Sequence, residues 1–149
     1  MVHVRDEGAK FDGSIESVWR YLNNPELHGL AHKDTRNRTA KTEGNLTTRV
    51  SMERNWRGAW VKVSFRITVL PPLGYVAEYT EGPFAGSNTF TVFTPLDQDH
   101  TQVDVYGEFR SPTISEGELG AAARQFLESI YNDDAPAIKE LHTGPREAA

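Results

Sequence analysis

The chain has no cysteine, which excludes disulfides, thiolate metal ligands and a cysteine nucleophile. No apolar run approaches the roughly 20 residues of a membrane-spanning helix, so no membrane insertion is expected. Positive charge is in deficit: 16 Lys and Arg stand against 21 Asp and Glu, a formal charge of −5. A dedicated nucleic-acid binder normally carries a basic excess, so no nucleic-acid partner is expected. The opening MVHVRDEG has neither a basic n-region nor an apolar h-region. No signal peptide is therefore expected, and the expected address is cytoplasmic. Also missing are a glycine-rich phosphate loop, a paired-carboxylate motif and a Ser-His-Asp spacing.

What is there suits one globular domain of 149 residues, 38% hydrophobic. A chain of this length buries roughly two-thirds of its unfolded surface. The expected domain spans 1–145, with 146–149 a disordered tail. Residues 2–11 alternate weakly and end in the turn signal Asp12-Gly13, which predicts a first strand. Ile15, Val18, Trp19 and Leu22 then fall on one helical face, with Ser14 placed to cap it. A second short helix follows at once, with Asn24 as cap and Pro25 at its first position.

From 35 to 110 the chain is rich in Val, Thr, Phe and Tyr. Turn clusters divide it into segments of about 6–14 residues, the pattern of consecutive antiparallel hairpins. In the segment 56–69, Val61, Val63, Phe65, Ile67 and Val69 alternate with polar residues, so one face is buried and one is wet. Gly58 reads as a bulge or bend near its start. Six strands are expected here, seven with the first, and the basic stretch 33–41 reads as a solvated strand face. The last element is a long helix over 116–142. Ser115 and Glu118 suit a capping box, and Leu119, Ala123, Phe126, Leu127, Ile130 and Ile138 form an apolar stripe. Pro136 deletes one helical hydrogen bond, which predicts a kink near Asn132 or a break. Gly144-Pro145 is expected to close the helix.

The stretch from Phe11 to Glu26 (FDGSIESVWRYLNNPE), read with this order of elements, resembles the START-related, polyketide-cyclase superfamily. The family's usual proline in the first turn is replaced by Gly13-Ser14. The resemblance implies a helix-grip fold of the α+β class. A curved, seven-stranded antiparallel sheet would wrap the long C-terminal helix, with two short helices between strands 1 and 2. It further implies an apolar cavity between sheet and helix. Strand parity and the helical stripe nominate Val63, Phe65, Tyr79, Phe90, Val92, Val105, Phe126 and Ile130 as its lining. Tyr79, sharing parity with Tyr75 and Ala77, is the best inward hydroxyl. Phe84, at a glycine-flanked tip, is a candidate gate.

His28 and His32 are spaced i, i+4 on the second helix. That helix is short and no carboxylate sits at a matching spacing, so the pair reads as a surface or cavity-mouth feature. No metal and no cofactor are expected. The expected partner is an apolar or aromatic small molecule, lipid-like or polyketide-like, carried in the cavity. A cyclase- or aromatase-type enzyme using the same cavity, and a protein-interaction module, stay open as alternatives. An enzyme needs at least two polar groups converging inside the cavity, whereas a carrier needs few.

Overall fold

The architecture comes from a computed structural model that describes residues 1–144. Strand β1 (Val2–Phe11) is followed by helices α1 (Ile15–Leu22) and α2 (Pro25–Ala31). Strands β2 (Thr35–Thr42), β3 (Thr47–Trp56), β4 (Ala59–Leu70), β5 (Gly74–Glu81), β6 (Asn88–Pro95) and β7 (Thr101–Phe109) come next, and helix α3 (Glu116–Thr143) completes the order. The strands form one antiparallel seven-stranded sheet in the order β1-β7-β6-β5-β4-β3-β2. Only β1 pairs out of chain order, closing against the last strand. The expected fold class is therefore the observed one. The expected tail and Pro145 lie outside the described residues. No described helix is long and apolar enough to cross a membrane.

Local chemistry explains the boundaries. Ser14 accepts a hydrogen bond from the Ser17 backbone N–H, and Asn24 accepts one from Leu27, each satisfying an otherwise orphaned donor. The segment 56–69 is not one strand. Trp56 ends β3 opposite Ala59 of β4, and the two residues between them have positive φ, 52° at Arg57 and 84° at Gly58. That pair of left-handed residues makes a two-residue hairpin whose twist matches its strands. In β1 the register shifts between Asp6 and Ala9, where Gly8 has φ 85°. This bulge bends the strand beside α3.

Helix α3 departs from expectation at its N-terminus. Ser115 is its N-cap, but the side chain makes no capping bond; the backbone N–H of Glu118 donates to the Ser115 carbonyl instead. Pro136 lies inside a helix that runs unbroken for 28 residues. The missing hydrogen bond is offset by packing just beyond it, where Ile138 is 1% exposed against Phe11, Val18 and Tyr21.

The core follows α3 across the sheet. Its first half packs Leu119, Ala123 and Phe126 against Val4, Phe84 and Phe109. Its second half packs Ile138 among Phe11, Phe93 and Val103. Phe126 meets the rings of Phe84 and Tyr79 at centroid distances of 4.9 and 5.6 Å. Phe84 is thus not a gate: it is 4% exposed and locked between Trp56, Phe109 and Phe126. The glycines beside it turn the loop inward, and its ring gains more by burial than by standing in water. Replacing Phe126→Ala is expected to lower stability by about 3–5 kcal/mol, measured by urea denaturation; a loss near zero would refute this placement of the ring.

Candidate functional site

Two small spaces lie side by side between the sheet and α3. One, of about 60 Å³, is lined by Phe11, Val103, Val105, Leu127, Ile130 and Ile138, with Tyr75, Tyr79 and Thr91. The other, of about 50 Å³, lies toward β3 and β4 and is lined by Val63, Phe65, Phe126, His28, His32, Arg38 and Arg54 among others. Tyr75, Tyr79, Ile130 and Asp134 border both. The first space also shares Asp6, Ala9, Leu127 and Tyr131 with an open groove of about 380 Å³ between β1 and α3. The β1 bulge sits beside this opening.

Six of the eight nominated residues (Val63, Phe65, Tyr79, Val105, Phe126 and Ile130) border these spaces. Phe90 and Val92 do not. On β6 it is Thr89, Thr91 and Phe93 that face the interior. Phe90 pairs with Val76 and Tyr106, and Tyr106 in turn carries the Arg5 guanidinium over its ring. That row belongs to the other face. Both parities of β6 contain apolar side chains, so alternation alone does not choose between them. Pairing with β5 and β7 does.

No local sequence pattern marks the polar end of the interior. Asp134 lies on the buried side of α3 at 6% exposure. Its Oδ1 accepts a 2.6 Å hydrogen bond from the Tyr21 hydroxyl, lies 3.1 Å from His32 Nε2 and lies 3.7 Å from His28 Nε2. His32 Nδ1 is 3.0 Å from Asp133 Oδ2. Of the surface or cavity-mouth positions expected for the histidines, the structure puts both on the lining of the interior space. His32 is 5% exposed, and the carboxylates absent from its own helix come from α3, about a hundred residues away. Next to them Arg54 is paired with Asp34 at 3.0 Å and sits over the Phe126 ring. Arg54 Nε is buried with no hydrogen-bond partner among the described residues. Arg38 completes the cluster from β2, so the basic stretch is not a wholly solvated face.

Burial sets the protonation pattern. It pushes His28 down to about 4, so this ring is neutral at neutral pH. His32 is raised: burial opposes its charge, but hydrogen bonds to Asp134 and Asp133 outweigh that cost. Burial, then the Asp134 charge, pushes the Tyr75 hydroxyl up to about 12. Tyr79 is likewise raised, chiefly by burial. These phenols are hydrogen-bond donors at neutral pH. Burial lowers Arg38 from its ordinary value. The arrangement supplies a buried histidine–carboxylate pair, two guanidinium groups and two neutral phenols.

A Ser-His-Asp set exists after all, although no spacing announced it. Ser17 Oγ lies 2.8 Å from His142 Nδ1, and His142 Nε2 lies 2.8 Å from Asp99 Oδ1. Its setting is structural. Ser17 is 4% exposed, while the Asp99 side chain is 73% exposed, too solvated to polarise the ring strongly. The chain of bonds ties the start of α1 to the end of α3.

No family model matches the sequence, and no curated protein matches it. Solved structures do match. Superposition on Zhui aromatase/cyclase from Streptomyces sp. R1128 gives a TM-score of 0.65 at 18% identity, covering 96% of this chain and 92% of that one. Ara h 8.0201 gives 0.68 at 12% identity, covering 92% and 97%. The two-domain aromatase/cyclase StfQ of the steffimycin biosynthetic pathway gives 0.72 at 14% identity, covering 95% of this chain and 50% of that one. The chain shares the helix-grip fold of these structures, the fold that its element order implied.

Because Ser17 ties two helices together, Ser17→Ala is expected to lower stability by about 1 kcal/mol. Chemical denaturation measures this. A hydrolytic role would instead show as esterase activity of the wild type that the substitution removes.

Proposed function

We propose that the protein binds an apolar or aromatic small molecule, lipid-like or polyketide-like, between the sheet and α3. The observation that carries this reading is the polarity gradient of the interior. Phe11, Val103, Val105, Leu127 and Ile138 wall one end, and the other converges on His28, His32, Arg38 and Arg54. Such a site buries the ligand's hydrocarbon for affinity, at about 25 cal/mol per Å² before ordering costs. It holds an oxygen function at the polar end, with the Tyr75 and Tyr79 hydroxyls midway.

The two spaces, about 60 and 50 Å³, are far below the roughly 300 Å³ of a small-molecule site. Binding therefore requires Ile130 and Tyr79 to move from the partition they form. The groove between β1 and α3 is the route of access.

The second reading is a cyclase- or aromatase-type enzyme. It is favoured by the number of polar groups that converge: Tyr79 and Arg54 as donors to a carbonyl oxygen, and the His32–Asp134 pair as a proton reservoir. If this second reading holds, a linear poly-β-ketone incubated with the protein gives a cyclised product whose rate or ring pattern differs from the protein-free control, detected by mass spectrometry.

The binding test is displacement of an environment-sensitive fluorescent probe by fatty acids, flavonoids and polyketide-like aromatics. Val105→Trp fills the apolar space and is expected to abolish probe binding with the fold intact. Ile130→Ala joins the two spaces and is expected to strengthen it. Absence of probe binding by the wild type and by Ile130→Ala would sink the reading and leave the interaction-module alternative in its place.

A further inference from the structure

We propose that His28, His32 and Asp134 form a binding site for one divalent transition-metal ion, opening into the polar end of the interior. The expectation of no metal rested on the lack of a carboxylate beside the two histidines, and α3 supplies one. The three donor atoms lie within 4.8 Å of one another. Asp134 Oδ1 is 3.1 Å from His32 Nε2 and 3.7 Å from His28 Nε2. Ligands about 2.0–2.1 Å from a tetrahedral ion stand roughly 3.3 Å apart, so a cation fits with small rotations. Two imidazoles and a carboxylate suit zinc, cobalt, nickel or ferrous iron rather than magnesium or calcium.

The surroundings are those of a metal centre as well. Asp133 Oδ2 lies 3.0 Å from His32 Nδ1, where it holds the proton on that nitrogen and leaves Nε2 to face the ion. The Tyr21 hydroxyl donates to Asp134 Oδ1 at 2.6 Å, orienting the carboxylate. All three ligands line the space of about 50 Å³, so a coordination position faces the cavity. Arg38 and Arg54 line the same space. Arg54 is neutralised by Asp34, and Arg38 favours an anionic group on the open side of the metal. This inference stands apart from the apolar-ligand reading: the ion is held by protein side chains whether or not a ligand enters.

The test uses the full-length chain, stripped with a chelator and titrated with Co(II) while visible absorption is recorded. Saturation at one ion per chain is expected, with bands as intense as those of four- or five-coordinate cobalt and reversal by added Zn(II). Asp133→Asn should weaken Co(II) binding by about 10–100-fold, and His28→Gln and His32→Gln by more. His3→Gln, on β1, should leave it unchanged. Circular dichroism checks each fold. His28 makes no close hydrogen bond to Asp134, so its variant stays informative even if His32→Gln unfolds. No saturable Co(II) band from the folded wild type, or a band that His28→Gln leaves intact, overturns the proposal.

Discussion

A carboxylate in the middle of an apolar helical stripe has to be answered by the rest of the molecule. Asp134 is carried by α3 into the interior at 6% exposure, and an isolated buried charge costs several kcal/mol. Tyr21 from α1 and His32 from the end of α2 meet it directly. Neither short helix is long enough to be stable alone. Their positions over the end of the sheet rest on the two helix caps, on apolar packing around Val18, Phe93 and Ile138, on the Ser17–His142 contact and on this acceptor. Removing a partner would leave a charge without compensation, which is why the cluster constrains the fold as well as the chemistry.

The same interaction divides the interior. On one side of Asp134 the walls are aliphatic and aromatic; on the other they carry guanidinium and imidazole groups. A ligand spanning the two would be oriented by charge at one end and held by area at the other. The helix-grip fold hosts carriers and enzymes alike, so the fold does not choose between them. The choice falls to the side chains at the polar end. Their protonation is set by burial and by the carboxylates packed against them.

The Ser17, His142 and Asp99 set shows how little geometry alone decides. Two bonds of 2.8 Å link serine, histidine and aspartate, yet through the opposite ring nitrogens from a serine-hydrolase relay, and the carboxylate stands in water. Burial distinguishes a structural tie from a reactive group. The histidines of α2 show the converse, because a pair that looks peripheral by position is enclosed by a helix from the far end of the chain.

What the residues determine by themselves is local and periodic. The caps at Ser14 and Asn24, the alternation along β4 and β5, and the stripe of α3 each depend on neighbours a few positions away, so spacing discloses them. Element order then suffices for the fold class, and parity suffices for Val63, Phe65 and Tyr79. Parity fails on β6, where Phe90 and Val92 compete with Thr89, Thr91 and Phe93, because period-two alternation cannot say which side the sheet will bury; pairing with β5 and β7 decides it. Of the kink or break that Pro136 predicts locally, the break does not occur: α3 stays one helix, packed around Ile138. The polar cluster was beyond reach for a stronger reason. Its contacts join residues up to 113 positions apart, and no short-range pattern marks Asp133 and Asp134 as partners of His32 and Tyr21. Only the docking of α3 on α1 and α2 brings them together, and with them the chemistry of the site.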